Sequence, residues 1–155
     1  MKRWMLLGLA LLAATVQALE TGERLAPWTL NDQFDQPYTL DEQLHVLLVA
    51  RSMEGAKLLG AALEGRPKGY LETRQALFVA DISRMPSLIG KLFAIPAMCD
   101  YSYRVLLDRE AQVVPQYAAP QEGVLWLQLE KGVLRERKVF TDSAALRAAL
   151  EQVAP

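Results

Sequence analysis

The sequence predicts an α/β domain, a three-layer α/β/α sandwich around a mixed central sheet. Three observations carry that expectation. Two continuous apolar runs, "VLLVA" (Val46–Ala50) and "ALFVADI" (Ala76–Ile82), read as strands covered on both faces. Each is followed by apolar residues at helical spacing, which implies right-handed β-α-β crossovers and a parallel core. Near the end of the chain, "VLWLQLE" and "VLRERKVF" flank Lys131-Gly132, the pattern of a hairpin that adds antiparallel strands.

The elements follow in order. Ala26–Gln43 alternates short apolar runs with Asn, Asp and Pro, and reads as two short extended pieces around a turn at Asp32–Asp35. After Val46–Ala50, the residues Leu58, Leu59, Ala62 and Leu63 line one face of a helix. Ser52 is placed to cap it, and Glu54 suits the positive end of its dipole. Gly65 and Pro67 stop it. After Ala76–Ile82, Ser83 is placed to cap a second helix with Pro86 in its first turn. Leu88, Ile89, Leu92 and Phe93 are expected to form its buried face, and Pro96 is expected to end it. "YRVLLD" (Tyr103–Asp108) is a third strand, with a turn over Asp108–Ala111. Arg135, Glu136 and Arg137 mark the second hairpin strand as a charged edge. Leu146, Ala149, Leu150 and Val153 form the face of a last helix, capped near Asp142 or Ser143.

The chain has 155 residues. Lys2 and Arg3 precede an apolar run, Met5 to Val16, that is shorter than the roughly 20 residues a membrane span needs. Val16-Gln17-Ala18 places small residues where a signal peptidase reads. Residues 1–18 are therefore expected to be a secretory signal peptide and 19–155 a single domain, periplasmic or secreted. An uncleaved N-terminal anchor is the alternative. Lys2 and Arg3 would leave with the signal, which makes the mature chain acidic. Without a basic stripe it carries no nucleic-acid footprint, and no membrane association is expected after cleavage.

Cofactor chemistry finds little support. Neither a dinucleotide fingerprint nor a phosphate-binding glycine loop occurs. One His (His45) and one Cys (Cys99) cannot build a His/Cys metal set, so no cofactor and no metal are expected. Asp81, Asp100 and Asp108 are expected near the carboxyl ends of strands or on neighbouring loops, where they would hold a hard cation or simply form turns and caps. A single cysteine cannot close an internal disulfide and is more often a small buried residue than a reactive one. Trp28, Tyr38 and Trp126 read as core or sheet-face residues.

Three segments carry a resemblance. "GERLAPWTLNDQFDQPYTLDEQ", "HVLLVARSMEGAKLL" and "YRVLLDREAQVV" resemble, in order and spacing, the entry, central strand-to-helix corner and late strand of peroxiredoxins and periplasmic thioredoxin-like proteins. The resemblance spans nearly the whole chain after residue 18 and implies the thioredoxin-like fold. In that superfamily the corner helix begins with a reactive cysteine, whose pKa is lowered by the helix dipole and free N–H groups. Arg51 to Lys57 contain no cysteine. The resemblance also implies a cis-proline just before the late strand, where this chain has Ser102 or Tyr103.

The ligand edge of an open α/β sheet lies at the carboxyl ends of its strands. From this chain it is expected to gather Arg51, Ser52, Met53, Glu54, Gly55, Arg84, Tyr101 and Tyr103, with Cys99 on the loop approaching it. The free N–H groups at Ser52–Gly55 suit an anion, and an ordinary capped helix start is the alternative. A Ser52–His45 catalytic pair is not expected, because the whole strand Val46–Ala50 separates them. Three functions follow. The first is an accessory or binding module without dithiol redox activity, with an envelope protein or a small anionic ligand as partner. The second is a one-cysteine thiol oxidoreductase or peroxidase-like enzyme using Cys99. The third is a structural domain that binds an envelope protein through an edge strand.

Overall fold

The computed structural model describes residues 19–155, so the expected signal peptide, residues 1–18, lies outside the described residues. The elements run β1 (Thr29–Asn31), β2 (Pro37–Thr39), β3 (Val46–Ala50), α1 (Met53–Ala62), α2 (Tyr70–Thr73), β4 (Ala76–Asp81), α3 (Ser87–Ile89), a π turn (Gly90–Ala94), α4 (Ile95–Met98), β5 (Val105–Asp108), a 3-10 turn (Val114–Tyr117), β6 (Val124–Glu130), β7 (Val133–Phe140) and α5 (Ser143–Gln152).

Five strands form the mixed sheet in the order β5-β4-β3-β6-β7. Strands β3, β4 and β5 are parallel, while β6 is antiparallel to β3 and β7 to β6. β3 is buried at all five residues, as its unbroken apolar run requires. Its side chains alternate between two cores. Val46, Leu48 and Ala50 join Leu59 of α1, Phe78, Met98, and Leu146 and Leu150 of α5. Leu47 and Val49 join Leu30, Leu77, Leu106, Val114 and Tyr117 on the other face. The helices α1, α4 and α5 therefore cover one face. The other is covered by the chain around Leu25, the β1–β2 hairpin and the 3-10 turn.

The hairpin turns fall where the residues allow them. Lys131 (φ 50°) and Gly132 (φ 81°) join β6 to β7 with two left-handed residues. Asp32 starts the β1–β2 turn, where Oδ1 accepts from the Phe34 and Gln36 N–H groups. Its Oδ2 accepts from Arg104 Nε at 2.8 Å, and an isolated bridge from Asp32 to Leu106 holds the hairpin to β5. The charged strand β7 is a sheet edge, as expected.

The second crossover departs from expectation in two ways. Pro96 does not end its helix. The chain widens into the π turn at Gly90–Ala94, and Pro96 then sits in the first turn of α4, where the N–H it lacks is least needed. Nor is the stripe Leu88, Ile89, Leu92 and Phe93 buried, for all four side chains are exposed. The helix packs on the sheet through Ala94, Ile95 and Met98 instead. A helix apolar on both sides gives no period from which the buried side can be read. The short α2, between Pro67 and β4, was not expected at all.

Candidate functional site

The corner after β3 forms as its residues dictate. Ser52 leaves the strand with extended backbone (φ −138°, ψ 166°) and caps α1, its Oγ accepting from Gly55 N–H at 3.2 Å. Gly55 is buried, and a Cβ there would lie 2.4 Å from the Gly123 carbonyl oxygen. The first turn of α1 therefore rests directly on the chain entering β6. Gly123 itself adopts φ 98° and has no room for a side chain, since a Cβ would lie 2.6 Å from the Phe140 carbonyl oxygen. These two glycines close the corner on its β6 side.

On its other side the corner is open. A cavity of about 290 Å³ is lined by Met53, Ala56, Ala80, Ile82, Met85 and Met98, with Arg51, Ser52, Asp81, Arg84 and Gln121 also in its wall. Four of the expected residues, Arg51, Ser52, Met53 and Arg84, meet there. Glu54 is exposed beside it and Gly55 is buried beneath. The arginines, the free N–H groups of the helix start and the three methionines make an apolar slot with a positive mouth.

Tyr101, Tyr103 and Cys99 belong elsewhere. Val105, the first residue of β5, pairs with Phe78, whereas Ala50 pairs with Ala80 and Ala80 with Leu107. The Cys99–Arg104 loop thus enters β5 at its amino end, while Ser52 follows the carboxyl end of β3. Tyr103 lies against Phe78 with ring centroids 6.3 Å apart and stacks on Tyr101 at 5.0 Å. Burial, then the neighbouring Tyr101, pushes its phenol up to about 12, so it is neutral at physiological pH. Cys99 is half-buried and its thiol donates to the Gln33 carbonyl at 3.4 Å. Gln33 is itself buried. Its side-chain amide donates to the Tyr103 carbonyl at 2.9 Å and accepts from Val105 N–H at 3.0 Å. Cys99 therefore does not approach the corner, contrary to expectation. Likewise the segment facing the corner is Gly123 at the start of β6 rather than Ser102 or Tyr103, and no cis peptide bond occurs among the described residues.

The carboxylates separate too. Asp108 is 1% exposed, and its two oxygens accept from the N–H groups of Gln112, Val113 and Val114. Asp81 accepts from Ser83 N–H. Asp100 follows α4, at the far end of the sheet from the other two. Among the described residues no three His, Cys, Asp or Glu side chains converge as a metal site would need. Ser52 and His45 flank opposite ends of β3, roughly 20 Å apart at ~3.3 Å per residue, so His45 cannot serve the hydroxyl as a base.

Sequence reasoning missed Met85, Met98, Gln121 and Gly123. The one local signal was Gly55, a poor helix former inside the first turn, which pointed to a close backbone approach without saying by what.

Comparison with solved structures supports the fold directly. The chain is similar to a proposed protein disulfide isomerase from Bacteroides thetaiotaomicron (12% identity, 87% of this chain and 88% of that one, TM-score 0.59). It is similar to a proposed thiol:disulfide interchange protein DsbE from Chlorobium tepidum (15% identity, 87% and 95%, TM-score 0.58). It is also similar to the peroxidoxin BcpB from Mycobacterium tuberculosis (16% identity, 88% and 99%, TM-score 0.55). At such identities the likeness defines the fold, and the fold is thioredoxin-like. No protein-family model matches the chain, and no curated protein is similar enough in sequence to count as a relative. No helix among the described residues is long and apolar enough to cross a membrane.

Proposed function

We propose that the protein is an exported, thioredoxin-fold binding module without dithiol redox activity, and that it binds through the open corner at Ser52. One observation carries this reading. The helix start that would activate a thiolate is intact in its geometry but carries a serine hydroxyl, which accepts from Gly55 N–H, and Arg51 to Lys57 contain no cysteine. The cavity at that corner and its two arginines support a ligand with apolar and anionic parts. The three similar structures bear names from thiol chemistry, but the residues that such chemistry needs are absent from positions 51–57 here. The basic start and apolar run of residues 1–18 support export.

The reading is tested on the protein isolated from the cell envelope. Its N-terminus should be Leu19, and it should show no turnover in insulin-reduction or hydroperoxide assays. Turnover that vanishes in Cys99→Ser would overturn it in favour of the one-cysteine enzyme. Full-length chain that keeps Met1 would overturn the cleaved signal.

A further inference from the structure

The helical run Ser87–Met98 turns a row of large apolar side chains to solvent. Leu88 is 66% exposed, Ile89 46%, Leu92 58% and Phe93 65%. Single exposed leucines are ordinary, but a contiguous row is not. With Met53, 57% exposed, these side chains present on the order of 500 Å² of apolar surface, the size of patch that usually has an occupant. The row begins at the open corner. Met85 shares the corner cavity with Met53, and its sulfur lies 3.7 Å from where a Cβ on Gly90 would sit. The apolar surface is therefore continuous from the cavity onto the helix.

Its charged surroundings say what fits. Arg51 and Arg84 stand at the cavity and Lys91 on the helix itself, all three exposed. None forms an ion pair among the described residues. Asp81, which also accepts from Ser83 N–H, and Glu54 are the carboxylates at this end, so the cations outnumber them three to two. A second copy of the chain packed across a two-fold axis would bring this cationic set against itself. A partner rich in Asp and Glu would neutralise it. The exposed row follows an i, i+1, i+4, i+5 spacing over about 8 Å of helix, roughly a turn and a half at ~1.5 Å per residue. Its own backbone is hydrogen-bonded internally, so a strand has no edge to join, and a second amphipathic helix is the element that matches such a stripe.

We propose that the Leu88–Phe93 stripe, headed by the corner cavity, docks an acidic amphipathic helix of a partner protein. This rests on the reading of the corner as a binding site and names the class of partner. The apolar side chains of the incoming helix cover Leu88, Leu92 and Phe93, and its flanking carboxylates meet Arg84, Arg51 and Lys91.

The test uses residues 19–155 and a fluorescently labelled synthetic peptide of about 18 residues, Leu and Phe on one helical face and Glu beside it. Anisotropy titration should give saturable binding in roughly the micromolar range. The same peptide with Lys in place of Glu should bind at least about tenfold more weakly. Leu92→Ser/Phe93→Ser and, separately, Arg51→Glu/Arg84→Glu should each lower affinity at least about tenfold, the latter reversing the salt dependence, because added salt then screens a repulsion. Thermal melts confirm that the variants fold, and both arginines are exposed, so that pair decides the matter if the apolar pair unfolds. Equal affinity for both peptides, or none, overturns the proposal. So does a dimer seen by light scattering that Phe93→Ser dissolves, which would assign the stripe to a second copy. Cys99-dependent turnover would sink the non-redox reading without touching these affinities, so the two failures are distinguishable.

Discussion

Two corners stand at the same edge of the sheet, one after β3 and one after β5, and they have opposite fates. After β5, Asp108 turns its carboxylate inward and consumes three N–H groups of the chain that follows. Asp108 itself is buried, and its carboxylate is spent on the chain's own N–H groups. After β3, Ser52 caps a single N–H group. Beside it lie a cavity, two arginines without an ion pair among the described residues, and a row of exposed apolar side chains. An acidic residue at a strand end closes its corner by satisfying it from within. A short hydroxyl leaves the corner open, with the positive end of a ten-residue helix facing outward.

The comparison is most sharply broken at Asp108. Asp108→Ala should strand three donors, two of them buried, and cost about 3–4 kcal/mol, read as a large fall in the urea midpoint at unchanged slope. Equal stability would mean that the closed corner is not held by its carboxylate. Gly55→Ala should come next, at roughly 2–3 kcal/mol, because the new methyl meets the Gly123 carbonyl and the helix start must shift. It should also weaken binding at the corner. The smallest effect belongs to Ser52→Ala, about 1 kcal/mol for the loss of one cap, measured by the same unfolding titration. If Ser52→Ala cost as much as Asp108→Ala, the two corners would be closed alike and the contrast would fail.

Much of the fold was legible because its signals are short-range. The run Val46–Ala50, the caps at Ser52 and Asp142, and the Lys131-Gly132 turn each depend on neighbours within about four residues. The cysteine-free corner was equally plain. Legibility failed where partners are distant in sequence. Tyr101, Tyr103 and Cys99 seemed near the corner because they precede a strand, yet the parallel pairing of Phe78 with Val105 puts them at the strand's amino end. Leu88, Ile89, Leu92 and Phe93 read as a core face because apolar spacing is the same whether the far side of a helix meets the sheet or solvent. Pro96 read as a stop because a π turn has no sequence signature strong enough to announce it.

By itself, then, the sequence determined the order of the main strands and helices, the thioredoxin-like class they build, and the absence of a thiol at the helix start. The order and the missing thiol follow from residue chemistry and periodicity along the chain, and the class from the resemblance of three segments to known families. Only the tertiary structure decided which residues share the corner, that Cys99 is tied to Gln33 instead, and that the Leu88–Phe93 stripe is left uncovered. Strand register and burial are relations between segments far apart in the chain, and no local pattern encodes them.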